Sequence, residues 1–307
     1  MNTSSKEKFE EKIKKDFIKK ERKNRRRSTF GKKKKNNDTD LTIYPLKDED
    51  YVNEERYKDL PDVLPRPNFR LLFSAYSGFG KDVIISNLLL RSNFLDITNK
   101  EKPYIDYFVL VSPTCHNDPS QAELREWADD VYTEFDPQII DDLVALQDEK
   151  RDEYEDEDDE DDEPFQILLY INDLLGDKNL ARSIDKFIVR ARHSNINLII
   201  SYQSLKHRTC SPIVRSNLTH LVVSKVMCEK QLESLTEEYD GMYEGHFKEL
   251  YNMATKGRYD FLFLDLKNRK AYNKFDTLLY QAYDDEDENQ IGANANKIKT
   301  DDILNDE

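Results

Sequence analysis

The segment that most constrains the fold runs from Arg70 to Leu90 and has the sequence RLLFSAYSGFGKDVIISNLLL. An apolar run predicts a strand, a glycine-rich turn follows, and a second apolar run predicts a helix. This order is typical of a loop that cradles phosphate between a parallel strand and a helix N-terminus. The strict pattern is G-x-x-x-x-G-K-[ST]. Gly80 and Lys81 match it, whereas Ala75 replaces the first glycine and Asp82 replaces the final hydroxyl residue.

Each residue of the loop has a predicted role in binding a nucleotide. Gly78 and Gly80 give the backbone the freedom to curl around phosphate, and Ser77 is small enough to fit beside them. Lys81 can reach the outer phosphates. The alternative interpretation, without a nucleotide site, is an ordinary glycine-rich turn with a surface lysine. The predicted nucleotide-binding residues are Ser77, Gly78, Phe79, Gly80, Lys81 and Asp82.

A second motif follows a later apolar run, LLYIND, which predicts a strand that ends in two polar residues. A strand of this kind normally places an acid that holds Mg²⁺ and a second acid that polarises the attacking water. Here Asn172 takes the first place and Asp173 the second. In one hypothesis Asp82 and Asn172 have exchanged roles, so that Mg²⁺ still finds one carboxylate, that of Asp82, and Asp173 is poised as the general base. Asp173 is also a candidate second ligand of Mg²⁺. In the other, Asp82 repels the phosphates and the domain is catalytically silent.

Two further residues are candidates for catalysis. Gln203 ends the predicted strand INLIISYQ, where its amide can orient the attacking water or sense the γ-phosphate. A glutamine that only caps a loop is the alternative. Arg215, in SPIVRSN, is a candidate for a charge that stabilises the transition state in a neighbouring subunit, although an arginine at a helix end also interacts favourably with the helix dipole.

Apolar runs alternate with helical patterns along the rest of the chain, which predicts an α/β fold with a mainly parallel sheet covered by helices on both faces. The apolar runs are nearly continuous, as in strands buried on both sides. Predicted strands cover 71–75, 107–112, 167–171, 196–202, 218–223 and 259–264, and predicted helices cover 82–91, 121–131, 137–147, 180–192, 229–239 and 244–254.

Charge is concentrated in three blocks of this 307-residue chain, whose formal net charge is −15. Residues 1–36 carry 16 basic and 5 acidic residues, 148–164 carry 13 acidic and 2 basic, and 284–307 carry 9 acidic and 2 basic. Such blocks bury too little apolar surface to offset the entropy of ordering them. The predicted organisation is a basic disordered arm and extended lead-in (1–67), a P-loop ATPase domain (68–283) with an acidic disordered insertion (148–164), and an acidic disordered tail (284–307).

The cysteines and the hydropathy pattern indicate the cellular compartment in which we expect the protein. Three widely spaced cysteines form no C-x-x-C pair, which favours a reducing environment and argues against a zinc site. No apolar run reaches the roughly 18 residues of a membrane span, so we expect an intracellular protein without a membrane partner. The basic arm is a candidate for contact with nucleic-acid phosphates, with a solubility tail or import signal as the alternative.

Taken together, these motifs resemble those of the viral genome-packaging ATPases of the poxvirus type, a branch of the FtsK–HerA superfamily. The resemblance covers about residues 68–265 and rests on the order and spacing of five segments. They are RLLFSAYSGFGKDVIISNLL, YFVLVSPT, QILLYINDLLGDKN, FIVRARHSNINLIISYQSL and IVRSNLTHLVVSK.

The resemblance implies a P-loop NTPase fold and a ring-shaped homo-oligomer that uses ATP and Mg²⁺ to drive double-stranded DNA into a viral capsid. Lys81 is then the phosphate lysine, Asp173 the acid of the second motif, Gln203 the sensor and Arg215 the arginine finger. The implied partners are DNA and capsid or portal-vertex proteins. The implied location is the cytoplasm or nucleus of an infected cell, or the virion. Two alternatives remain open, a translocase that works outside a capsid and a non-enzymatic nucleotide-binding or scaffold subunit.

Overall fold

The computed structural model describes residues 56–101, 103–156, 164–173, 178–203, 205 and 210–282. The basic arm and the acidic tail predicted from the sequence therefore lie outside the described residues. Within the described ranges, no helix combines the length and apolar character needed to span a bilayer. The strands are β1 (Arg70–Ser74), β2 (Tyr107–Val111), β3 (Asp130–Tyr132), β4 (Ile167–Asn172), β5 (Ile196–Tyr202), β6 (His220–Ser224), β7 (Phe261–Asp265), β8 (Lys270–Asn273) and β9 (Thr277–Gln281). The helices are α1 (Lys81–Leu90), α2 (Ala122–Trp127), α3 (Pro137–Asp156), α4 (Lys178–Arg190), α5 (Pro212–Ser216), α6 (Glu229–Tyr239) and α7 (Phe247–Ala254).

These strands form a single sheet in the order β3-β2-β4-β5-β1-β6-β7-β8-β9. The first six strands in that order are parallel to one another, and β7, β8 and β9 extend the sheet antiparallel. All residues of β4 and β5 are buried, as expected of parallel strands covered on both faces. The predicted α/β fold with a mainly parallel sheet is confirmed.

Helices cover both faces of the sheet. On one face, α3, α4, α6 and α7 pack on a large apolar cluster, and α4 contributes Leu180, Ile184 and Ile188 at helical spacing. On the other face, α1 inserts Ile85, Leu88 and Leu89 into a second cluster. The strands are therefore shielded from water on both sides, which explains their continuous apolar sequence.

Two predicted segments differ from the structure between β2 and β4. The helix predicted over 121–131 ends at Trp127, and the chain then forms β3 on the edge of β2. Helix α3 continues to Asp156, through the first nine residues of the predicted disordered insertion. Ion pairs one turn apart, Lys150–Glu153 at 2.8 Å and Arg151–Asp148 at 2.5 Å, offset part of the acidic repulsion along this helix. Residues 157–163 lie outside the described residues.

The strand predicted over 259–264 was expected to be the last, but β8 and β9 follow it. Both are short and partly polar, so their sequence gives little signal. The side chain of Asp265 accepts hydrogen bonds from the backbone and side-chain nitrogens of Asn268, at 2.9 and 2.6 Å. These contacts stabilise the turn between β7 and β8, so a local polar contact, rather than apolar periodicity, supports the hairpin.

The lead-in was expected to be extended and unpacked, but over residues 56–67 it packs on the domain. Tyr57, Leu60 and Leu64 are buried in the same cluster as α1. Arg56 is 3% exposed and donates to both carboxylate oxygens of Asp106 at 2.9 Å. Its other nitrogens donate to the carbonyls of Pro103 and Pro164. The fork of one arginine thus joins three separate chain segments.

We expect Arg56→Ala to lower the free energy of unfolding by about 3 kcal/mol, because it removes a buried positive charge from the partly buried Asp106 carboxylate together with the hydrogen bonds to two carbonyls. Arg56→Lys should not restore stability, since an ammonium cannot match the fork. Chemical denaturation of the full chain measures both changes. Arg182→Ala, an exposed arginine on α4, is the matched control and should change stability by less than about 0.5 kcal/mol. Equal effects at the two sites would contradict the role of Arg56.

His220, at the start of β6, is a buried titratable group far from the polar end of the strands. Its ring stacks on Phe263, with centroids 5.6 Å apart, and Nδ1 lies 2.9 Å from the Thr219 hydroxyl. Burial lowers the pKa of His220 to about 4, against the opposing charge of Asp265, and the charges of Arg70 and Lys267 lower the pKa further by smaller amounts. The folded protein therefore keeps this imidazole neutral at pH values where an unfolded chain protonates it.

This pKa shift predicts a loss of stability in mild acid. Between pH 6.5 and about 4 the unfolded state binds a proton that the folded state does not, so the free energy of unfolding falls as the pH falls. The full contribution is about 3 kcal/mol. His220→Gln should flatten this slope, whereas His246→Gln, at a more exposed histidine, should leave it unchanged. Denaturation series at pH 4, 5, 6 and 7 for the three proteins test this, and identical slopes would contradict it.

Candidate functional site

The candidate site lies at the edge of the sheet where the parallel strands end. Because β1, β4 and β5 run in the same direction, the segments that follow them meet at this edge. The loop 75–80 follows β1, Asp173 follows β4 and Gln203 follows β5. Strand β5 lies between β1 and β4, so all three segments are close in space although they are far apart in sequence.

The backbone of the loop matches the role predicted for its glycines. Gly78 has a φ of 80° and Gly80 has a φ of 93°, a left-handed conformation that strains other L residues. A Cβ at either position would meet no atom within 4 Å, so backbone conformation, and not crowding, is the reason for glycine here. Phe79 is 1% exposed and anchors the loop to the core. Ser77 and Gly78 stay exposed at the tip.

Lys81, the first residue of α1, is 5% exposed and points to the end of β4. Its Nζ lies 2.5 Å from Oδ2 of Asp173 and donates to Oδ1 of Asn172 at 3.2 Å. Asn172 Oδ1 also accepts a hydrogen bond from the Ser201 hydroxyl of β5. Asp173 itself has a φ of 48°, which an aspartate tolerates better than most residues. The lysine of the first motif and the acid of the second therefore form one ion pair.

Asp82 is in direct contact with Asn172, the residue with which it exchanges roles in the first hypothesis from the sequence. Asn172 Nδ2 donates to Asp82 Oδ1 at 2.9 Å, and Gln121 Nε2 and the Tyr170 hydroxyl reach the same oxygen at 3.3 and 3.5 Å. Across the described ranges, no hydrogen-bond donor reaches the second oxygen, Oδ2. Three neutral donors thus hold the Asp82 carboxylate in a fixed orientation with one oxygen left for a ligand.

Electrostatics disfavour the charged form of Asp82 in the protein alone. Burial raises the pKa of Asp82 above its usual value, and the charges of Asp173 and Asp118 add to this, against the opposing effects of Lys81 and Asn172. Burial, followed by the charge of Asp82, also raises the pKa of Tyr170 well above its usual range. The phenol therefore remains a proton donor to Asp82. A cation bound at this carboxylate would relieve the repulsion among the acids.

The donor set fits Mg²⁺, which takes oxygen ligands and usually one or two carboxylates together with water and phosphate. Asp82 Oδ2 is directed away from its three donors, and Oδ1 of Asp173 is buried without a hydrogen-bond partner in the described structure. No cluster of three or more acidic, histidine or cysteine side chains suited to a metal occurs in the described residues. Asp82 and Asp173 would hold the ion, and Asn172 would not, because Lys81 and Ser201 already occupy its carbonyl oxygen.

Gln203 and Arg215 line one cavity of about 90 Å³ beside the start of the loop, together with Ala75 and Tyr76. Gln203 is exposed to it. Arg215 donates from Nε to Glu238 at 2.7 Å and from a terminal nitrogen to the carbonyl of Cys210 at 2.6 Å. Both residues are therefore near the loop of their own chain. A role for Arg215 in a neighbouring subunit requires that it leave Glu238, and this role stays a prediction.

Three residues of the network were not predicted from the sequence. Tyr170 had a signal, because it lies two residues before Asn172 in the strand and so on the same face. It interrupts an otherwise aliphatic run there. Gln121 and Ser201 had none, because their roles depend on which strand neighbours β4 and on where the segment after β2 returns to α1.

A parallel sheet, a glycine-rich loop that leads into α1, and a lysine paired with an acid at the end of β4 define a P-loop nucleotide-binding domain. The chain belongs to the Poxvirus A32 protein family, whose model matches residues 57–240. The family resemblance inferred from the motifs is confirmed. A comparison with curated proteins gave no match.

Several solved structures are similar to this chain. The genome packaging NTPase B204 from Sulfolobus turreted icosahedral virus 2, in complex with AMP, is 15% identical over 68% of this chain and 98% of its own, with a TM-score of 0.48. The conjugation coupling protein TcpA of pCW3 is 15% identical over 64% and 57%, with a TM-score of 0.46. The type VII secretion ATPase EccC of Thermomonospora curvata is 11% identical over 74% and 28%, with a TM-score of 0.45.

We expect Asp82→Asn to raise the thermal midpoint of the protein without ligands. The raised pKa means that the charged carboxylate destabilises the fold above that pKa, so the gain should be largest near pH 7 and should shrink as the pH falls towards 4. Asparagine retains an oxygen that can accept the Asn172 hydrogen bond. Thermal unfolding at pH 4, 5.5 and 7 measures the effect, with Asp141→Asn, at an exposed position of α3, as the control. A lower midpoint for Asp82→Asn at pH 7 would contradict the prediction.

Proposed function

We propose that this protein is an ATPase that drives double-stranded DNA into a viral capsid. The observation that carries the proposal is the contact between the two motifs, in which Lys81 meets Asp173 at 2.5 Å while Asp82 meets Asn172 at 2.9 Å. A damaged turn with a surface lysine would not place these four side chains in one network, in which Lys81 and Asn172 are buried and the two aspartates are partly buried. Membership of the Poxvirus A32 protein family supports the same function.

In the proposed mechanism, the phosphates of ATP lie on the loop, against backbone N–H groups and the N-terminus of α1. Lys81 then turns from Asp173 towards the outer phosphates, where its charge stabilises the transition state. This movement frees the Asp173 carboxylate to accept the proton of the attacking water. The ion pair seen in the protein alone thus keeps both groups in place until a nucleotide separates them.

We propose that Asp82 and Asp173 would hold Mg²⁺. When bound, the ion would neutralise charge that develops on the phosphate oxygens. Asn172 positions Asp82 and no longer serves as a ligand itself. The exchange between loop and strand that the sequence suggested would thus keep a carboxylate on the cation. The contact between the two exchanged residues supports it.

Gln203 and Arg215 would complete the site from the cavity beside the loop. Gln203 would orient the attacking water with its amide. Arg215 would supply positive charge to a transition state, either within the chain or across a subunit boundary after release from Glu238. A ring of subunits gives each arginine a neighbouring nucleotide, which agrees with the proposed homo-oligomer.

DNA, the capsid and the place of action complete the proposal. The basic arm over residues 1–36 supplies a charge of +11 for sequence-independent contact with phosphates, while the rest of the chain is acidic. We propose the domain limits that the sequence predicts, with two changes: residues 56–67 belong to the packed domain, and residues 148–156 belong to helix α3. Membership of the family supports a place of action in virus-infected cells, where capsid or portal-vertex proteins would be its partners.

One observation favours a second candidate, a subunit that binds nucleotide without hydrolysing it. Asp82 adds a negative charge to a loop that must accept phosphate, and the unliganded site already disfavours that charge. The two candidates differ in their response to Mg²⁺. An active site needs the cation to bring Asp82 and the phosphates together, so in that case ATP affinity rises with Mg²⁺.

We expect hydrolysis of ATP that double-stranded DNA stimulates, and a loss of roughly 100-fold or more in Lys81→Ala. Asp173→Asn should still bind ATP on the loop, with a smaller rise in affinity on addition of Mg²⁺, and it should fail to hydrolyse ATP because the amide cannot accept the proton. Lys248→Ala, at an exposed lysine of α7, is the matched control and should hydrolyse ATP as the wild type does. Phosphate release and ATP titration, each with and without Mg²⁺, measure these effects.

The paired change Asp82→Ser with Asn172→Asp separates the candidates further, because it restores the usual hydroxyl and acid of the two motifs. Wild-type hydrolysis would establish the exchange of roles. An inactive wild type beside an active double variant would identify a protein that has lost catalysis while it keeps the fold. ATP affinity that does not rise with Mg²⁺ in the wild type would contradict Asp82 as a magnesium ligand.

A further inference from the structure

A group of aromatic side chains lies on the flank of the nucleotide loop that faces away from β4. Phe79, inside the loop, has its ring centroid 5.6 Å from that of Tyr76 and 6.3 Å from that of Tyr259. Tyr76 and Phe79 belong to the loop itself, whereas Tyr259 comes from the turn before β7. Tyr259 is 53% exposed, although it packs against a residue that is 1% exposed. About half of the Tyr259 surface is thus open to solvent beside the glycine-rich loop.

The sheet register explains why this tyrosine is beside the loop. Strand β7 is antiparallel to β6, and Ser224 at the end of β6 pairs with Phe261 at the start of β7. The residues just before β7 therefore lie at the same edge as the ends of the parallel strands. In turn, β6 neighbours β1, which leads into the loop. The turn before β7 is thus placed on the side of the loop opposite to Asp173.

Arg258 adds a second planar group at this place. Its guanidinium carbon lies 5.1 Å from the centroid of the Tyr259 ring. Aromatic rings and guanidinium planes are the two protein groups on which nucleic-acid bases stack. Both occur here on consecutive residues, and Tyr259 packs against Phe79 of the loop.

We propose that Tyr259, supported by Arg258, is the stacking site for the purine base of the bound nucleotide. This inference rests on the proposed function, because it takes the phosphates to lie on the loop. With the outer phosphates at Lys81, towards β4, the sugar and base extend to the opposite flank of the loop, where Tyr259 is exposed. Contact with Phe79 then couples the base to the loop that holds the phosphates.

A comparison of ATP with inorganic tripolyphosphate tests this site, because only ATP carries a base. In Tyr259→Ala we expect ATP affinity to fall about tenfold and tripolyphosphate affinity to stay unchanged, since stacking on an aromatic ring contributes to base binding alone. Tyr259→Phe keeps the ring and should bind ATP as the wild type does. Tyr132→Ala, at an exposed tyrosine in the edge strand β3, is the matched control and should change neither affinity. Isothermal titration of the full chain gives all these values.

A fluorescence measurement gives a second readout. The chain has one tryptophan, Trp127, so Trp127→Phe combined with Tyr259→Trp places a single reporter at the proposed site. ATP should quench its emission, and tripolyphosphate should not.

The outcomes separate this inference from the proposed function. If the wild type binds ATP and Lys81→Ala does not, the nucleotide site stands. In that case unchanged ATP affinity in Tyr259→Ala would overturn the stacking site alone. An equal loss of ATP and tripolyphosphate affinity would also overturn it, because Tyr259 would then act only by shaping the loop through Phe79. If the wild type binds neither ligand, both the site and the inference fail.

Discussion

The ion pair between Lys81 and Asp173 is the interaction on which the candidate site depends. It joins the first residue of α1 to the end of β4, and it forms only because β5 lies between β1 and β4 in parallel register. A shift of one residue in either strand pair would turn Asn172 and its neighbours to the other face of the sheet. The buried apolar runs of β4 and β5 prevent such a shift, since it would cost most of their packing. The core of the sheet therefore fixes the geometry of the polar site at its edge.

The two departures from the usual motifs are linked through this geometry. Asp82 is an acid where the usual motif has a hydroxyl, and Asn172 is an amide where the usual motif has an acid. If the two residues were far apart, each replacement would weaken a magnesium site. In the structure the amide donates to the acid, and a tyrosine and a glutamine support the same carboxylate oxygen. The structure thus keeps a carboxylate beside the glycine-rich loop, and burial of this carboxylate disfavours its charged form.

The antiparallel extension of the sheet has consequences beyond its own strands. Strand β7 brings the turn that carries Tyr259 to the edge where the parallel strands end, so the loop has an acidic network on one flank and an aromatic group on the other. The packed lead-in stabilises the same half of the domain, because Tyr57 and Leu60 share an apolar cluster with α1 and Phe79. Arg56 locks that segment in place through the fork of hydrogen bonds with Asp106 and two proline carbonyls. The loop is thus supported by residues before, within and after the predicted domain core.

Local pattern was sufficient to predict the strand, loop and helix from Arg70 to Leu90 and the burial of β4 and β5, because periodicity and glycine placement act over a few residues. The comparison of the two motifs with their usual forms suggested that Asp82 and Asn172 exchange roles, and the tertiary structure showed that the two side chains are in contact. The local sequence pattern did not predict the short or polar elements. Strand β3 exists because β2 offers an unpaired edge, and β8 exists because Asp265 forms a turn. Tyr170, Gln121 and Tyr259 gained their roles only from the tertiary structure, which brings side chains to the loop from positions 39 to 180 residues away in the chain. Sequence alone determined the chemical groups, and the order of strands in the sheet decided which of them meet.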